Sequence, residues 1–229
     1  MTVDVSKTYD FNPSLGELIL TAFARINVRA AELTQAHMYQ ARQAANFLLS
    51  EWSALQPNLW EVGMQTVPLL SGVGTYTVPA ETVMILDTVI SYGDPTTDRV
   101  IMPISRTEYM SYPNKQQQGF PTVFWFDRLV SPTITFWPVP DNTQAYVAKY
   151  YSVRQTMDAD VPNGLTVEIP YRWLEAYVAG LAWKLSEIYM PQLEDKLFSR
   201  YNRAWGIAAT QDVENVPMMI IPGLRSYYR

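Results

Sequence analysis

The spacing of apolar residues changes twice along this chain of 229 residues, and that change limits its possible folds more than any other feature. Near both ends of the chain, apolar residues recur every three or four positions, which is typical of one face of an α-helix. Between residues 61 and 168 they occur instead in short runs separated by Gly and Pro, as in strands joined by turns. The order helices, strands, helices follows from this pattern.

Four long helices are predicted, two on each side of the β-rich region. Ser14 and Glu17 have the spacing of a capping box in front of an apolar stripe, so the first helix begins there. Pro57 ends the second helix, and Pro191 separates the third from the fourth. The first two predicted helices cover residues 14–27 and 34 to about 55. The third has Pro170 at an early position and an apolar face from Leu174 to Ile188, and the fourth ends near Gln211.

Six short strands are predicted in the middle of the chain, a number typical of a sandwich or a barrel. One helical turn at residues 105–110 interrupts them, because Ser105 and Glu108 again have capping-box spacing. The segment 112–121 contains three glutamines and is expected to be the least structured part of this region. The predicted strands cover residues 64–70, 75–78, 83–92, 122–126, 133–137 and 146–153.

The predicted fold class is α+β. The simplest architecture is a four-helix bundle formed from both chain ends, with an inserted β-sandwich or barrel-like domain and an extended C-terminal arm. The arm is apolar, lacks acidic residues and contains two prolines, so we expect it to pack on its own domain or on another chain. The predicted parts are the N-terminal helices at 1–60, the β domain at 61–168, the C-terminal helices at 169–215 and the arm at 216–229.

Composition excludes several classes of protein. With no cysteine, the chain has no disulfides, thiolate metal sites, iron–sulfur clusters or cysteine nucleophiles. No signal peptide and no membrane-spanning segment are expected, because no long apolar run is present. The 17 basic and 22 acidic residues give a net charge of −5, and without a basic run the chain is not expected to bind nucleic acid tightly.

Catalytic candidates are few. His37 is the single histidine, so we expect a structural or surface role for it and no metal or cofactor site. Gly72, Val73 and Gly74 lack the Lys and the helix that a phosphate-binding loop requires, so they are predicted to form a hairpin turn. Carboxylates remain as possible acid–base groups, but no spacing singles out a pair. The carboxylates considered are Asp87, Asp94, Asp98, Glu108, Glu168, Glu175, Glu187, Glu194 and Asp195.

Large rings crowd the two C-terminal helices, and not all of them fit on one inward stripe. They either widen the buried face of the chain or form contacts between subunits, where aromatic residues supply anchor area. The candidate intersubunit contacts are Trp173, Trp183, Tyr189 and Trp205.

Several short strings together resemble the head-to-tail adaptor proteins of tailed bacteriophages, also called packaged-DNA-stabilisation proteins or tail-accessory factors. The resemblance covers residues 13–210 and is carried mainly by the Gly-x-Gly-x-Tyr turn and the Trp-Pro-Val-Pro-Asp string. The matching strings lie at residues 47–52, 71–79, 105–109, 119–123, 134–141 and 169–176.

The resemblance implies a structural protein of the virion rather than an enzyme, without cofactors. It implies a ring of twelve subunits beneath the portal protein, assembled in the cytoplasm of the bacterial host. Such a ring continues the channel for double-stranded DNA, which passes as non-specific cargo, and presents a platform to a tail nozzle or tail tube protein. By analogy, the arm reaches along the portal. Its proposed contact residues are Val216, Pro217, Met218, Met219, Ile220, Ile221, Leu224, Arg225, Tyr227, Tyr228 and Arg229.

Two alternatives belong to other classes of tail protein. A hydrolase acting on peptidoglycan would need two facing carboxylates in a groove, roughly 5–9.5 Å apart. A glycan-binding protein would expose aromatic rings such as Trp125 and Trp137 on one face of a sheet. Because Trp125 lies between Phe124 and Phe126, at least one of these rings points away from the core of a one-sided sheet.

Overall fold

The computed structural model describes residues 11–55, 59–93, 96–159 and 166–212. Within these ranges the chain forms five α-helices, nine strands and short 3-10 turns. The helices are α1 (Leu15–Arg25), α2 (Gln35–Leu55), α3 (Arg106–Ser111), α4 (Leu174–Tyr189) and α5 (Glu194–Gln211). The strands are β1 (Val62–Leu69), β2 (Thr75–Thr77), β3 (Thr82–Tyr92), β4 (Thr97–Pro103), β5 (Gln118–Gly119), β6 (Val123–Asp127), β7 (Thr133–Trp137), β8 (Val139–Pro140) and β9 (Tyr146–Arg154). The predicted mixed α+β class is confirmed.

Helices from both ends of the sequence share one hydrophobic core. Helix α4 lies at its centre and packs against α1, α2 and α5. Residues on every side of α4 are buried, as expected for a helix surrounded by other elements. Gly180 allows the closest approach, because a Cβ atom there would lie 2.8 Å from Cδ2 of Leu48.

The first helix begins as its sequence predicts. The backbone N–H of Glu17 donates to the Ser14 hydroxyl, and the Ser14 backbone N–H donates to the Glu17 carboxylate at 2.7 Å. Two free backbone donors are thereby satisfied at the start of α1. A similar N-cap begins α3, where the Ser105 hydroxyl accepts a hydrogen bond from the backbone N–H of Glu108 at 3.1 Å.

Seven strands form one curled sheet in the order β1-β9-β3-β4-β6-β7-β2, and β5 pairs with β8 in a small second sheet. Neighbours in the large sheet are antiparallel except for β4 and β6. Strand β4 pairs with β3 through its first five residues and with β6 through Met102 and Pro103. It therefore joins the two parts of the curled sheet. A second hydrophobic core, separate from the helical one, fills the inside of the sheet.

The prediction of a hairpin at Gly72–Gly74 is wrong, because the two strands that flank this turn do not pair with each other. A tight turn is present and Gly72 has a positive φ of 79°, but β1 pairs with β9 and β2 pairs with β7. The turn therefore connects the two outer strands of the curled sheet. Long-range hydrogen bonds hold it, since the Gly72 backbone N–H donates to the Pro140 carbonyl at 2.9 Å and the Phe136 backbone N–H donates to the Gly74 carbonyl at 2.8 Å.

Two other expectations for the middle region are corrected. Strand β4 was not among the predicted strands, because its residues alternate poorly and most of them are exposed. The segment 112–121 is also more ordered than its composition suggests. Its Tyr112 ring stacks on Trp137 with centroids 4.1 Å apart, and its Gln118 begins β5.

A buried carboxylate lies where the helices meet the sheet. Glu61, 1% exposed, follows α2 and accepts a hydrogen bond from the hydroxyl of Thr156, which lies just beyond β9. The Thr156 hydroxyl also lies 3.2 Å from the hydroxyl of Ser53 on α2. Nearby, Arg154 at the end of β9 forms an ion pair with Glu168. These contacts fix the sheet against the helical core.

Candidate interaction surface

Three of the carboxylates considered from the sequence, Asp98, Glu168 and Glu175, make described contacts with basic or hydroxyl side chains. Glu168 pairs with Arg154, and Glu175 accepts hydrogen bonds from two arginines. A hydrogen bond from Ser91, aided by the charge of Lys149, holds the pKa of Asp98 below its usual value. Asp94 lies outside the described residues. Among the residues that are described, no group of three or more His, Asp or Glu could hold a metal ion.

His37 takes part in the start of α2. Its Nδ1 accepts a hydrogen bond from the backbone N–H of Thr34 at 3.1 Å and also lies 2.6 Å from the Thr34 hydroxyl. The imidazole ring stacks on Tyr189 with centroids 4.9 Å apart. These contacts cap one helix and join it to the end of α4.

Trp125 and Trp137 lie on the same face of the β6–β7 pair, as a glycan-binding surface would require. Both rings are covered by tyrosines from α3 and the residue after it. Tyr109 stacks on Trp125 with centroids 5.3 Å apart, and Tyr112 stacks on Trp137. The indole N–H of Trp137 donates to the Asn114 carbonyl at 3.0 Å. The face that sugars would stack on is therefore occupied by the chain's own rings.

Of the predicted intersubunit contacts, Trp173 is the most buried. It is 1% exposed and lies among the rings of Trp52, Trp60 and Trp205, with centroids between 5.0 and 6.2 Å away. Trp205 is partly exposed and packs on the outside of this group. Trp173 therefore supports Trp205 from within the helical core.

Trp183 belongs to an aromatic group between α4 and α5. Its ring stacks on Tyr201 at 5.4 Å and contacts Phe198 at 4.9 Å, measured between centroids. The ammonium of Lys184 lies 4.1 Å from the centroid of the same indole and pairs with Glu51 of α2 at 3.1 Å. This arrangement presents a partly exposed tryptophan held rigidly by its neighbours, which is a frequent feature of interface anchors.

Two exposed apolar side chains accompany Trp183 on α4 and α5. Ile188 lies one turn after Lys184 and is 54% exposed, and Phe198 is 42% exposed. We name these four residues, Trp183, Lys184, Ile188 and Phe198, the α4–α5 surface.

A second exposed apolar group lies on the outer face of the sheet, where Met64, Val100, Met102 and Tyr151 are all exposed. Apolar surface of this kind marks sites of association when it is contiguous.

An open groove of about 560 Å³ lies between α1 and α4. Leu18, Leu174 and Val178 form its apolar floor. Phe11 and Tyr171 form its rim, are 70% and 75% exposed, and meet edge to face with centroids 6.2 Å apart. We name it the α1–α4 groove. The sequence did not predict it, because it depends on how α1 packs against a helix that lies about 150 residues further along the chain.

Charged groups cross one end of the α1–α4 groove. Arg25 donates from Nη2 to Glu175 at 2.5 Å, and Arg200 of α5 donates to the other carboxylate oxygen at 3.1 Å. Partial burial acts to raise the pKa of Glu175, but the hydrogen bonds and charges of Arg25 and Arg200 outweigh it, so that pKa lies below its ordinary value. Nη1 of Arg25 is buried and has no hydrogen-bond partner among the described residues.

The residues of the predicted portal-binding arm, 216–229, lie outside the described part of the chain. The last described residue is Asp212, whose buried side chain pairs with Arg172. Since Arg172 lines the α1–α4 groove, the chain leaves α5 close to that groove. Within the described residues, no helix is long and apolar enough to cross a membrane.

Comparison with known families gives a match. A family model described as SU10 adaptor protein matches residues 13–220, which include every described helix and strand. A search of curated proteins found no match.

Proposed function

The chain belongs to the SU10 adaptor protein family, a phage head–tail adaptor family, and from this premise we propose that it is the connector between head and tail of a tailed bacteriophage. Its subunits form a ring, of twelve copies, beneath the portal. The ring extends the DNA channel, retains the packaged genome and gives the tail its attachment platform. The match over residues 13–220 carries this proposal.

Ring formation requires two different faces on each subunit, because a closed ring is built from head-to-tail contacts. The two exposed apolar groups support such an arrangement. The α4–α5 surface lies on the helical core, and the group containing Met64 and Met102 lies on the outer face of the sheet. We propose that Trp183, Tyr189 and Trp205 contact a neighbouring subunit, with Trp173 holding Trp205 in place.

The charge balance suits a channel through which DNA slides. The net charge of −5 provides no excess of cations to neutralise phosphates, so a ring of these subunits does not hold DNA by strong salt-dependent contacts. Six of the 17 basic residues, among them Arg154 and Arg172, form described ion pairs with carboxylates. DNA is therefore cargo rather than a ligand.

The parts of the subunit have separate tasks in this proposal. The helices at 1–60 and 169–215 form a four-helix bundle, for which the shared core around α4 is the support. Residues 61–168 form an inserted β domain, supported by the second core inside the sheet. The arm at 216–229 docks on the portal, and a tail nozzle or tail tube protein binds the opposite side of the ring. Assembly takes place in the bacterial cytoplasm, and the final location is the virion.

The test is to mix the full chain with purified rings of the portal protein encoded by the same phage and to separate the mixture on a density gradient. The proposal predicts that the chain sediments with the portal, and that electron micrographs show a second ring stacked coaxially on the first. A chain that remains at the top of the gradient at all concentrations contradicts it. The peptidoglycan alternative has its own readout, since a hydrolase would clear a suspension of cell walls.

A further inference from the structure

The α1–α4 groove has an apolar floor, charged side chains around it, and rim rings that project into solvent. Its floor of Leu18, Leu174 and Val178 continues the helical core to the surface, while Phe11 and Tyr171 are mostly exposed beside it. An aromatic pair on the edge of an apolar concavity is poorly hydrated, and covering it with another apolar segment is favourable.

The C-terminal end of the described chain lies beside this groove. Arg172 lines it and also lines a smaller groove of about 290 Å³ with Arg203 and Ile207 of α5. The same arginine forms the ion pair with Asp212. The two grooves thus meet at Arg172, which pairs with the end of α5, so both lie close to the point where the segment after Asp212 begins.

The sequence that follows Asp212 has the chemistry to fill such a site. From Val216 to Leu224 it carries no charge and contains Met218, Met219, Ile220 and Ile221. Seventeen residues follow Asp212, and an extended chain covers about 3.3 Å per residue, so residues 213–229 can reach well beyond the length of the groove.

Charges at the two ends of the segment match those of the grooves. Glu214 comes two residues after Asp212 in the sequence, and Arg203, which lines the smaller groove, makes no ion pair among the described residues. Arg225 follows the apolar stretch, and the wall of the α1–α4 groove carries the carboxylate of Glu17. An acidic start and a basic end therefore give the segment one preferred direction.

We propose that, in the free subunit, the α1–α4 groove binds part of the apolar stretch within residues 213–229 of its own chain. The attachment at Asp212 favours the chain's own segment over that of a second copy, because a short tether gives a high effective concentration. One consequence, which rests on the proposed function, is that the portal must draw the arm out of the groove before the arm can bind it. The docking itself requires no portal.

The absence of cysteine allows a direct test with the full chain. Thr21→Cys places a thiol on an exposed position of the groove, and Ile221→Cys places one in the segment. We expect a short bifunctional maleimide to link the two within one chain at micromolar concentration, with a yield that does not change on tenfold dilution. The matched control is Ser50→Cys with Ile221→Cys, since Ser50 is exposed on α2 and does not line the groove.

The rim supplies a second comparison. Phe11→Ser and Tyr171→Ser should each lower the yield of the link at least fivefold, whereas Phe47→Ser, at an equally exposed phenylalanine on α2, should leave it unchanged. Links that form between chains and disappear on dilution would assign the groove to a second copy and overturn the proposal. A yield no higher than that of the Ser50→Cys control would also overturn it. Neither result bears on portal binding, which the density gradient tests separately.

Discussion

The indole N–H of Trp52 on α2 donates a hydrogen bond of 2.9 Å to the hydroxyl of Tyr201 on α5, joining residues 149 positions apart inside the helical core. Both side chains are almost fully buried. This bond links the two halves of the helical part, which the β-rich region separates in sequence. Breaking it should cost stability, because a buried donor would be left without a partner.

Removal of the Tyr201 hydroxyl tests that link. Tyr201→Phe should lower the free energy of unfolding by about 1–3 kcal/mol, because the indole N–H of Trp52 would remain buried without an acceptor. Urea denaturation followed by circular dichroism measures the change. Tyr39→Phe is the control, since Tyr39 is exposed on α2, and its variant should unfold at the wild-type midpoint. Equal midpoints for both variants would contradict the assignment.

Two glycines in neighbouring helices should respond in opposite directions to the same substitution. Gly180→Ala should destabilise the protein by about 1–3 kcal/mol, because the new Cβ would meet the Leu48 and Tyr201 side chains at 2.8 to 3.0 Å in a filled core. Gly206→Ala should stabilise it by up to about 1 kcal/mol, since nothing lies within 4 Å of the new atom and alanine favours the helix. Thermal unfolding of both variants checks the pair. A stabilising Gly180→Ala would show that the packing of α4 is looser than described.

The ion pairs of Glu175 predict a dependence of stability on pH. Its pKa is lower in the folded chain than in the unfolded chain, so its contribution is fully present above the unfolded value of about 4.3 and is lost as the pH falls through the folded value. Glu175→Gln should therefore reduce the fall in melting temperature between pH 5 and pH 3. The effect should be small, because the side chain is 56% exposed.

Glu187→Gln provides the comparison for that experiment. Glu187 is exposed on the same helix and makes no ion pair among the described residues. Its variant should keep the pH dependence of the original chain. If the two variants follow the same curve, the network of Arg25, Glu175 and Arg200 makes no measurable contribution.

A charge on the α4–α5 surface should impair assembly without unfolding the subunit. Ile188→Asp places a carboxylate at an exposed apolar position, and we expect at least a tenfold rise in the concentration needed for ring formation on the portal. Gln192→Asp introduces the same charge at a nearby exposed polar position and should assemble normally. Light scattering reports assembly, and circular dichroism confirms the fold. Normal assembly of Ile188→Asp would place the subunit contact elsewhere.

Affinity for DNA should be low. With a net charge of −5, the chain should bind double-stranded DNA no more tightly than about 10⁻⁴ M at physiological salt, which is the weak end of non-specific binding. Fluorescence anisotropy with a labelled duplex measures this. Micromolar binding that weakens steeply with salt would reveal a basic track and contradict the view of DNA as cargo.

Local signals predicted more of this fold than of its surfaces. The helix starts at Ser14 and Ser105 could be read from the sequence, because capping depends on residues three positions apart. The strand pairing around Gly72 could not be predicted from the sequence, since the turn joins two strands whose partners lie far along the chain. The covering of Trp125 by Tyr109 was missed for the same reason.

The candidate surfaces also depend on contacts between distant parts of the chain, which local sequence signals do not show. Sequence reasoning placed Trp173 and Trp183 together among possible contacts, because helical periodicity alone does not show which side of α4 another helix covers. In the structure Trp173 faces other tryptophans, while Trp183 lies at the margin of α5. The α1–α4 groove has no sequence signature, since its floor and rim come from α1, α4 and the segments before them, which lie far apart in the sequence.

The most direct test of the central claim is the mass of the portal complex, measured by light scattering for the full chain and for a chain ending at Asn215. The proposed function predicts that about twelve copies of the full chain add to each portal ring as a closed ring, and that the shortened chain adds few or none. If the shortened chain no longer associates with the portal ring, residues 216–229 anchor the protein to the portal. A portal ring whose mass is unchanged by an excess of the full chain would contradict the assignment of this protein as the head-to-tail connector.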